Sequence, residues 1–144
     1  MNKRIAWGQK SPEAYKAMSA LENAVVNSGL EHSLLELIRL RASQINGCAY
    51  CVNLHANDAR KAGETEARLQ TVTVWAETNF FTEKENAVLA WTESLTQLSI
   101  HHAPQHQYEA LLAHYSEKEV ANITLAIATI NAWNRFGVGF AMTP

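Results

Sequence analysis

Apolar and polar positions repeat at helical spacing almost throughout this chain. In SPEAYKAMSALENAVVNSG (11–29), Ala14, Met18, Leu21 and Val25 recur every three or four residues, the period that puts side chains on one helix face. Ser11 is placed to cap this helix, Pro12 suits its first position, and Gly29 stops it. In SLLELIRLRASQING (33–47), Leu34, Leu37, Ile38, Arg41 and Ile45 line one face, and Asn46-Gly47 ends the pattern. CAYCVNLHANDARKAG (48–63) opens directly after that turn and closes with Arg60 and Lys61 in the last turn and Gly63 beyond. A shorter helix is expected near 65–77. RLQTVTVW (68–75) is the best strand candidate, and its flanks favour helix.

The second half repeats the grammar. TEKE (82–85) and SEKE (116–119) are capping boxes, in which a hydroxyl caps the glutamate amide and the carboxylate reaches back. Val88, Trp91, Leu95 and Leu98 follow the first, and Pro104 starts another helix in APQHQYEALLAHY (103–115). The helix after Ser116 runs to about Arg135 and is apolar nearly all round, with Val120, Ile123, Leu125, Ile127, Ile130, Trp133 and Phe136. Such a helix is buried centrally or lies in a subunit interface. Its surplus of apolar surface predicts a symmetric homo-oligomer with this helix near the contact. The pattern as a whole predicts an all-α fold, one domain over residues 1–144 with six to seven helices and no dividing linker.

Composition narrows the partners. With 144 residues, 47% hydrophobic, the chain can bury one sizeable core. A net charge of −2 and no basic run beyond ARK (59–61) argue against nucleic acid. The longest apolar stretch, ITLAIATI (123–130), falls far short of the roughly 18–20 residues a spanning helix needs, so no membrane is expected. MNKRIAWGQKSPEAYK at the N-terminus has no apolar segment of the secretory kind. These features predict a cytoplasmic protein, where a paired Cys-x-x-Cys reads as redox or metal chemistry rather than a structural staple.

The two cysteines of the chain, Cys48 and Cys51, stand in INGCAYCVNLH with His55 four residues beyond the second. On a helix Cys51 lies about 300° round from Cys48 and His55 about 40° beyond Cys51, so all three share a sector of about 60°. That spacing permits a disulfide. If the flanking helices form a hairpin about Asn46-Gly47, His55 stands about 13 Å up one arm, Glu36 about 16 Å up the other, and Cys51 only about 7 Å. Glu36 can then meet His55 but not Cys51 directly. Carboxylate, imidazole and thiol in that order make a proton relay that generates the thiolate needed for attack on a peroxide. The resulting sulfenic acid condenses with a second thiol to a disulfide, which an external thiol or dithiol must reduce.

Which thiol attacks is a contest of two effects. Cys48, in the first turn of its helix, gains from the macrodipole, worth about 0.3–1 kcal/mol at an exposed end. Cys51 faces a base, commonly worth about 10²–10⁴-fold. The larger effect favours Cys51.

Glu36, Cys48, Cys51 and His55 match the pattern Glu-x11-Cys-x2-Cys-x3-His of the AhpD-like alkylhydroperoxidases, in the carboxymuconolactone decarboxylase superfamily. The segment ELIRLRASQINGCAYCVNLHANDARKAGET (36–65), within a core motif region of about 31–65, resembles that family between the motif positions too, and NAWNRF (131–136) is similar to its closing helix. The resemblance implies an all-α fold, peroxide reduction, no metal or flavin, and trimers or hexamers. It implies Cys51 as the peroxide-attacking thiol, Cys48 as the resolving one, and Glu36 with His55 as the relay. Members often carry a histidine between the cysteines where this chain has Tyr50.

Three other readings compete. Cys48, Cys51, His55 and Glu36 could ligate zinc, although structural zinc generally fixes short, loop-rich folds. A lyase of the same superfamily would use His55 and Glu36 without needing both cysteines. A redox relay would exchange disulfides with a partner protein. For the remaining residues the expectations are plain ones. His32, His101, His102, His106 and His114 are expected in solvent, Arg39 and Arg41 in surface or interface ion pairs, and Trp91 and Trp133 in the core or a subunit contact. Tyr50 serves either as pocket wall or as packing.

Overall fold

The computed structural model describes residues 4–144. Its order is α1 (Trp7–Lys10), α2 (Pro12–Val26), α3 (His32–Ile45), α4 (Ala49–Lys61), α5 (Glu66–Thr71), a 3-10 helix (Val72–Glu77), α6 (Glu83–Thr96), α7 (Leu98–His101), α8 (Gln105–Leu112) and α9 (Glu117–Gly139). No strand occurs among the described residues, and RLQTVTVW forms α5 and the 3-10 helix. Nine α-helices among the described residues stand against the six to seven expected, and the surplus is α1 and α7, each of four residues and too short to show a period. No helix among the described residues is long and apolar enough to cross a membrane.

The local signals end the helices where their chemistry says they should. Ser11 caps α2 through the Ala14 amide, with Pro12 at the first position. Thr82 with Glu85 and Ser116 with Glu119 both form complete capping boxes; each cap is worth typically about 1 kcal/mol.

α3 is the middle of the molecule. It packs against α4, α6 and α9, and every residue from Leu34 to Ser43 is buried except Arg41. One side of it, through Leu34, Leu35, Ile38 and Ala42, joins a core with Val88, Ile123, Ile127 and Ile130. The other side, through Leu37 and Leu40, joins a second core with Leu69, Val72 and Leu89. The single apolar face expected for this segment is therefore incomplete. Arg41 and Ile45, placed on it by periodicity, are only half-buried, because a helix between two cores buries both flanks and its boundary falls at Arg41.

α9 is likewise covered by its own chain, packing on α2, α3, α4, α6 and α8. Val138 is its one residue among the exposed large apolar side chains. Val120, Ile123, Ile127 and Ile130 are buried by the other helices, whereas Leu125, Trp133 and Phe136 stay partly exposed. The helix also runs one turn past Arg135, to Gly139.

The α3–α4 hairpin positions the chemistry. Gly47, at a φ of +66°, follows the last turn of α3. The Cys48 amide donates to the Ser43 carbonyl at 3.0 Å, and the Gly47 amide donates to the Gln44 carbonyl at 3.2 Å. This is the double closure of a Schellman turn, and only glycine takes its left-handed position without strain. Cys48 is thus at once the residue that closes α3 and the N-cap of α4. α9 clamps the turn: Asn46 Nδ2 donates to Oδ1 of both Asn131 and Asn134 at 2.9 Å, and Asn134 Nδ2 donates to Ser43 Oγ at 2.9 Å.

Candidate active site

Cys48 and Cys51 are joined as a disulfide, with α-carbons 5.3 Å apart. Both are buried, and they are not equivalent. Cys51 lines a cavity of about 810 Å³, whereas Cys48 lies behind it, against α9. Cys48 Sγ accepts a hydrogen bond from the Cys51 amide at 3.3 Å. Its sulfur therefore occupies the N-cap oxygen position, where backbone N–H groups stabilise negative charge.

The hairpin brings Glu36 and His55 together as the counting of heights predicts. His55 Nδ1 meets Glu36 Oε2 at 2.9 Å, and both residues line the cavity with Cys51. In the neutral imidazole an Nδ1–H donated to the carboxylate leaves the Nε2 lone pair as the site that accepts a proton.

Arg39 departs from expectation. It is not a surface cation but a buried one, its side chain 7% exposed. Its Nη1 donates to Glu36 Oε1 at 2.6 Å and its Nη2 to Glu22 Oε1. Glu22 in turn accepts from Trp133 Nε1 at 2.9 Å. The Glu36–His55 pair is thus the end of a chain running Trp133, Glu22, Arg39, Glu36, His55, drawn from α9, α2, α3 and α4. Burial by itself would push the Glu36 carboxyl up; the hydrogen bond and charge of His55, then those of Arg39, outweigh it and hold the group below its ordinary value of 4.5. Glu36 is a fixed negative charge at neutral pH and orients His55 without exchanging its own proton.

Sequence reasoning placed Glu36, Cys48, Cys51 and His55 and missed the others. Arg39 had a readable signal, since it stands three residues from Glu36 on one helix face. Glu22 and Trp133 had none. Trp133 also lines the cavity, with Trp7, Tyr15 and Phe136, so it is a wall as well as a core contact. Trp91 is buried as expected, its Nε1 donating to Thr124 Oγ1 at 3.1 Å. Arg41 is half-buried and bonds Glu93. His101, His102 and His106 are exposed and His114 half-buried; His32 is exposed but stands 3.9 Å from Glu36 at the cavity edge. Tyr50 also lines the cavity. The zinc reading meets two obstacles here. Both sulfurs are bonded to each other, and both Glu36 oxygens are already engaged by His55 and Arg39.

Residues 12–94 match the carboxymuconolactone decarboxylase family. The chain is 36% identical over 138 residues to the uncharacterized protein YdfG of Bacillus subtilis (strain 168), covering 96% of this chain and 94% of that one. It superposes with a TM-score of 0.96 and 46% identity on the crystal structure of an Agrobacterium tumefaciens protein of unknown function, described as a candidate antioxidant defence protein AhpD; the match covers 99% of both chains. A stretch of 50 residues is 40% identical to the alkyl hydroperoxide reductase AhpD of Coxiella burnetii, 35% of this chain but only 28% of that protein. The debrominase Bmp8 shares the fold, with a TM-score of 0.82 at 21% identity.

Proposed function

The chain belongs to the carboxymuconolactone decarboxylase family, and we propose that within it this protein is a thiol-dependent peroxidase of the alkylhydroperoxidase kind. The observation that carries the reading is the Cys48–Cys51 disulfide, of whose two residues Cys51 lines the cavity together with His55 and Glu36. A disulfide at a cavity wall is open to attack by an external thiol, as the oxidised half of a dithiol cycle must be.

The cycle follows from the geometry. In the reduced protein His55 takes the Cys51 proton, and Glu36 holds the imidazolium. The Cys51 thiolate attacks one peroxide oxygen. The O–O bond breaks, the alkoxide leaves with a proton from His55 as the alcohol, and Cys51 becomes a sulfenic acid. Cys48 then gives up its proton and attacks Cys51 Sγ, the S–O bond breaks, the hydroxide takes up that proton and leaves as water, and the S–S bond forms. An external thiol or dithiol attacks Cys51 Sγ from the cavity and expels Cys48 as a thiolate, which the Cys51 amide stabilises. The aromatic wall and size of the cavity suit an organic hydroperoxide better than hydrogen peroxide.

The reading is tested by adding one equivalent of cumene hydroperoxide to the reduced protein and counting thiols. Two thiols lost and one alcohol formed per peroxide is the expected result. Thiols that survive for minutes would overturn the reading in favour of a lyase. Slow loss with fast exchange against a protein disulfide would overturn it in favour of a relay.

Glu36→Gln keeps the shape and removes the charge. Peroxide reduction near neutral pH should slow by about tenfold or more, and its pH optimum should move upward, because without the Glu36 charge the proton leaves Cys51 for His55 less readily. The disulfide should still form slowly. An unchanged pH–rate profile would remove Glu36 from the relay.

A further inference from the structure

We propose that Gly137 is a positioning residue for the redox couple: its missing side chain makes the space that the Cys48–Cys51 disulfide occupies. The observation is steric. A Cβ built on Gly137 would lie 2.5 Å from Cys48 Sγ and 3.1 Å from Cys51 Sγ. Even two carbon atoms prefer about 3.5–4.0 Å, so a methyl group and this disulfide cannot both stay where they are.

The surroundings give neither side an easy escape. Gly137 is buried in the last turns of α9, where alanine would be the better helix former. α9 cannot simply withdraw, because Asn131 and Asn134, within two turns of Gly137, hold the hairpin turn through Asn46 and Ser43. The disulfide cannot simply turn, because the S–S bond fixes the side-chain torsions of both cysteines at once. In the dithiol each sulfur rotates on its own, so Cys48 is free to leave the space beside Gly137 at the cost of the hydrogen bond it accepts from the Cys51 amide. A methyl group at 137 therefore works against the oxidised form more than the reduced one. Gly139, two residues on in the same helix, supplies the contrast, since a Cβ there meets nothing within 4 Å.

The inference rests on the dithiol cycle proposed above but not on peroxide as its oxidant, and its test contains no peroxide. Wild type, Gly137→Ala and Gly139→Ala are equilibrated with mixtures of reduced and oxidised dithiothreitol, and free thiols are counted. In each exchange one S–S bond breaks as another forms, with two electrons and two protons moving between the couples. Gly137→Ala should shift the equilibrium toward the dithiol by tenfold or more, about 30 mV for a two-electron couple. Gly139→Ala should stay within twofold of wild type. Reduced Gly137→Ala should lose less thermal stability than oxidised Gly137→Ala, each against wild type in the same redox state, a result that a purely structural role for the glycine would not produce. An unchanged dithiol–disulfide equilibrium overturns the proposal, as does equal destabilisation of the reduced and oxidised forms. If Gly137→Ala fails to fold, Cys48→Ala added to it should restore folding by removing the nearest sulfur; failure of that rescue also overturns it.

Discussion

Cys51→Ser is expected to lower peroxide reduction by at least about 10³-fold, because in the proposed cycle it removes the nucleophile, and to leave Cys48 unlabelled by a sulfenic-acid probe. Cys48→Ser is expected to react once and stop, with the probe trapped on Cys51. The structure sharpens the contest between the two thiols. Cys48 is better served by backbone amides than its place in the sequence implied: it is the N-cap, and its sulfur already accepts the Cys51 N–H. That favours a Cys48 thiolate. Attack needs access as well as charge, and Cys48 is 1% exposed and absent from the cavity wall, whereas Cys51 is part of it. A stabilised thiolate that cannot meet substrate is a good leaving group, and that is the resolving role. Mass spectrometry after dimedone labelling of each variant decides the matter. A label on Cys48 in the Cys51→Ser protein, formed at a rate near wild type, would reverse the assignment.

Arg39→Met is expected to cost about 3 kcal/mol of stability near neutral pH, the low end of the range for breaking a buried ion pair. The low end applies because Glu22, its side chain 30% exposed, can turn toward water, whereas Glu36, at 2%, cannot. For a domain of this size the midpoint of thermal unfolding should fall by roughly 10 °C. The sign of the pH dependence follows from Glu36. Its carboxyl is held below 4.5 in the folded protein, in part by Arg39, so its contribution to stability is present above that value and lost as pH falls through the folded one. Without Arg39 that depression shrinks, and the penalty of the variant should be largest at about pH 7 and smaller at about pH 4, where carboxylates begin to take up protons. Urea unfolding at the two pH values measures it. An equal penalty at both would mean that Arg39 acts through packing of its stem and not by neutralising Glu22 and Glu36.

The sequence alone determined the helices and the contents of one hairpin. Ser11, Thr82 and Ser116 each satisfy amides within three residues, and Gly47 turns the chain where it stands. Such signals are readable because both partners lie in the same few letters. The same locality made the meeting of Glu36 with His55 predictable: a tight turn with a fixed rise per residue sets their heights, whatever packs outside it. The tertiary structure decided everything that depends on which helix lies beyond the hairpin. Periodicity gave α3 one buried face, and the fold buried both because cores formed on either side of it. Arg39 looked like a surface charge until α2 brought Glu22 against it, 17 residues away in the chain, and α9 brought Trp133 to Glu22 across 111. α9 read either as a central helix or as an interface helix, and α2, α3, α4, α6 and α8 pack against it. Which cysteine lines the cavity, and how little room Gly137 leaves beside the two sulfurs, were decided only when α9 packed against α4. A pattern of residues records the period of its own helix, whereas burial, charge pairing and steric room are set by the surfaces that fold against it.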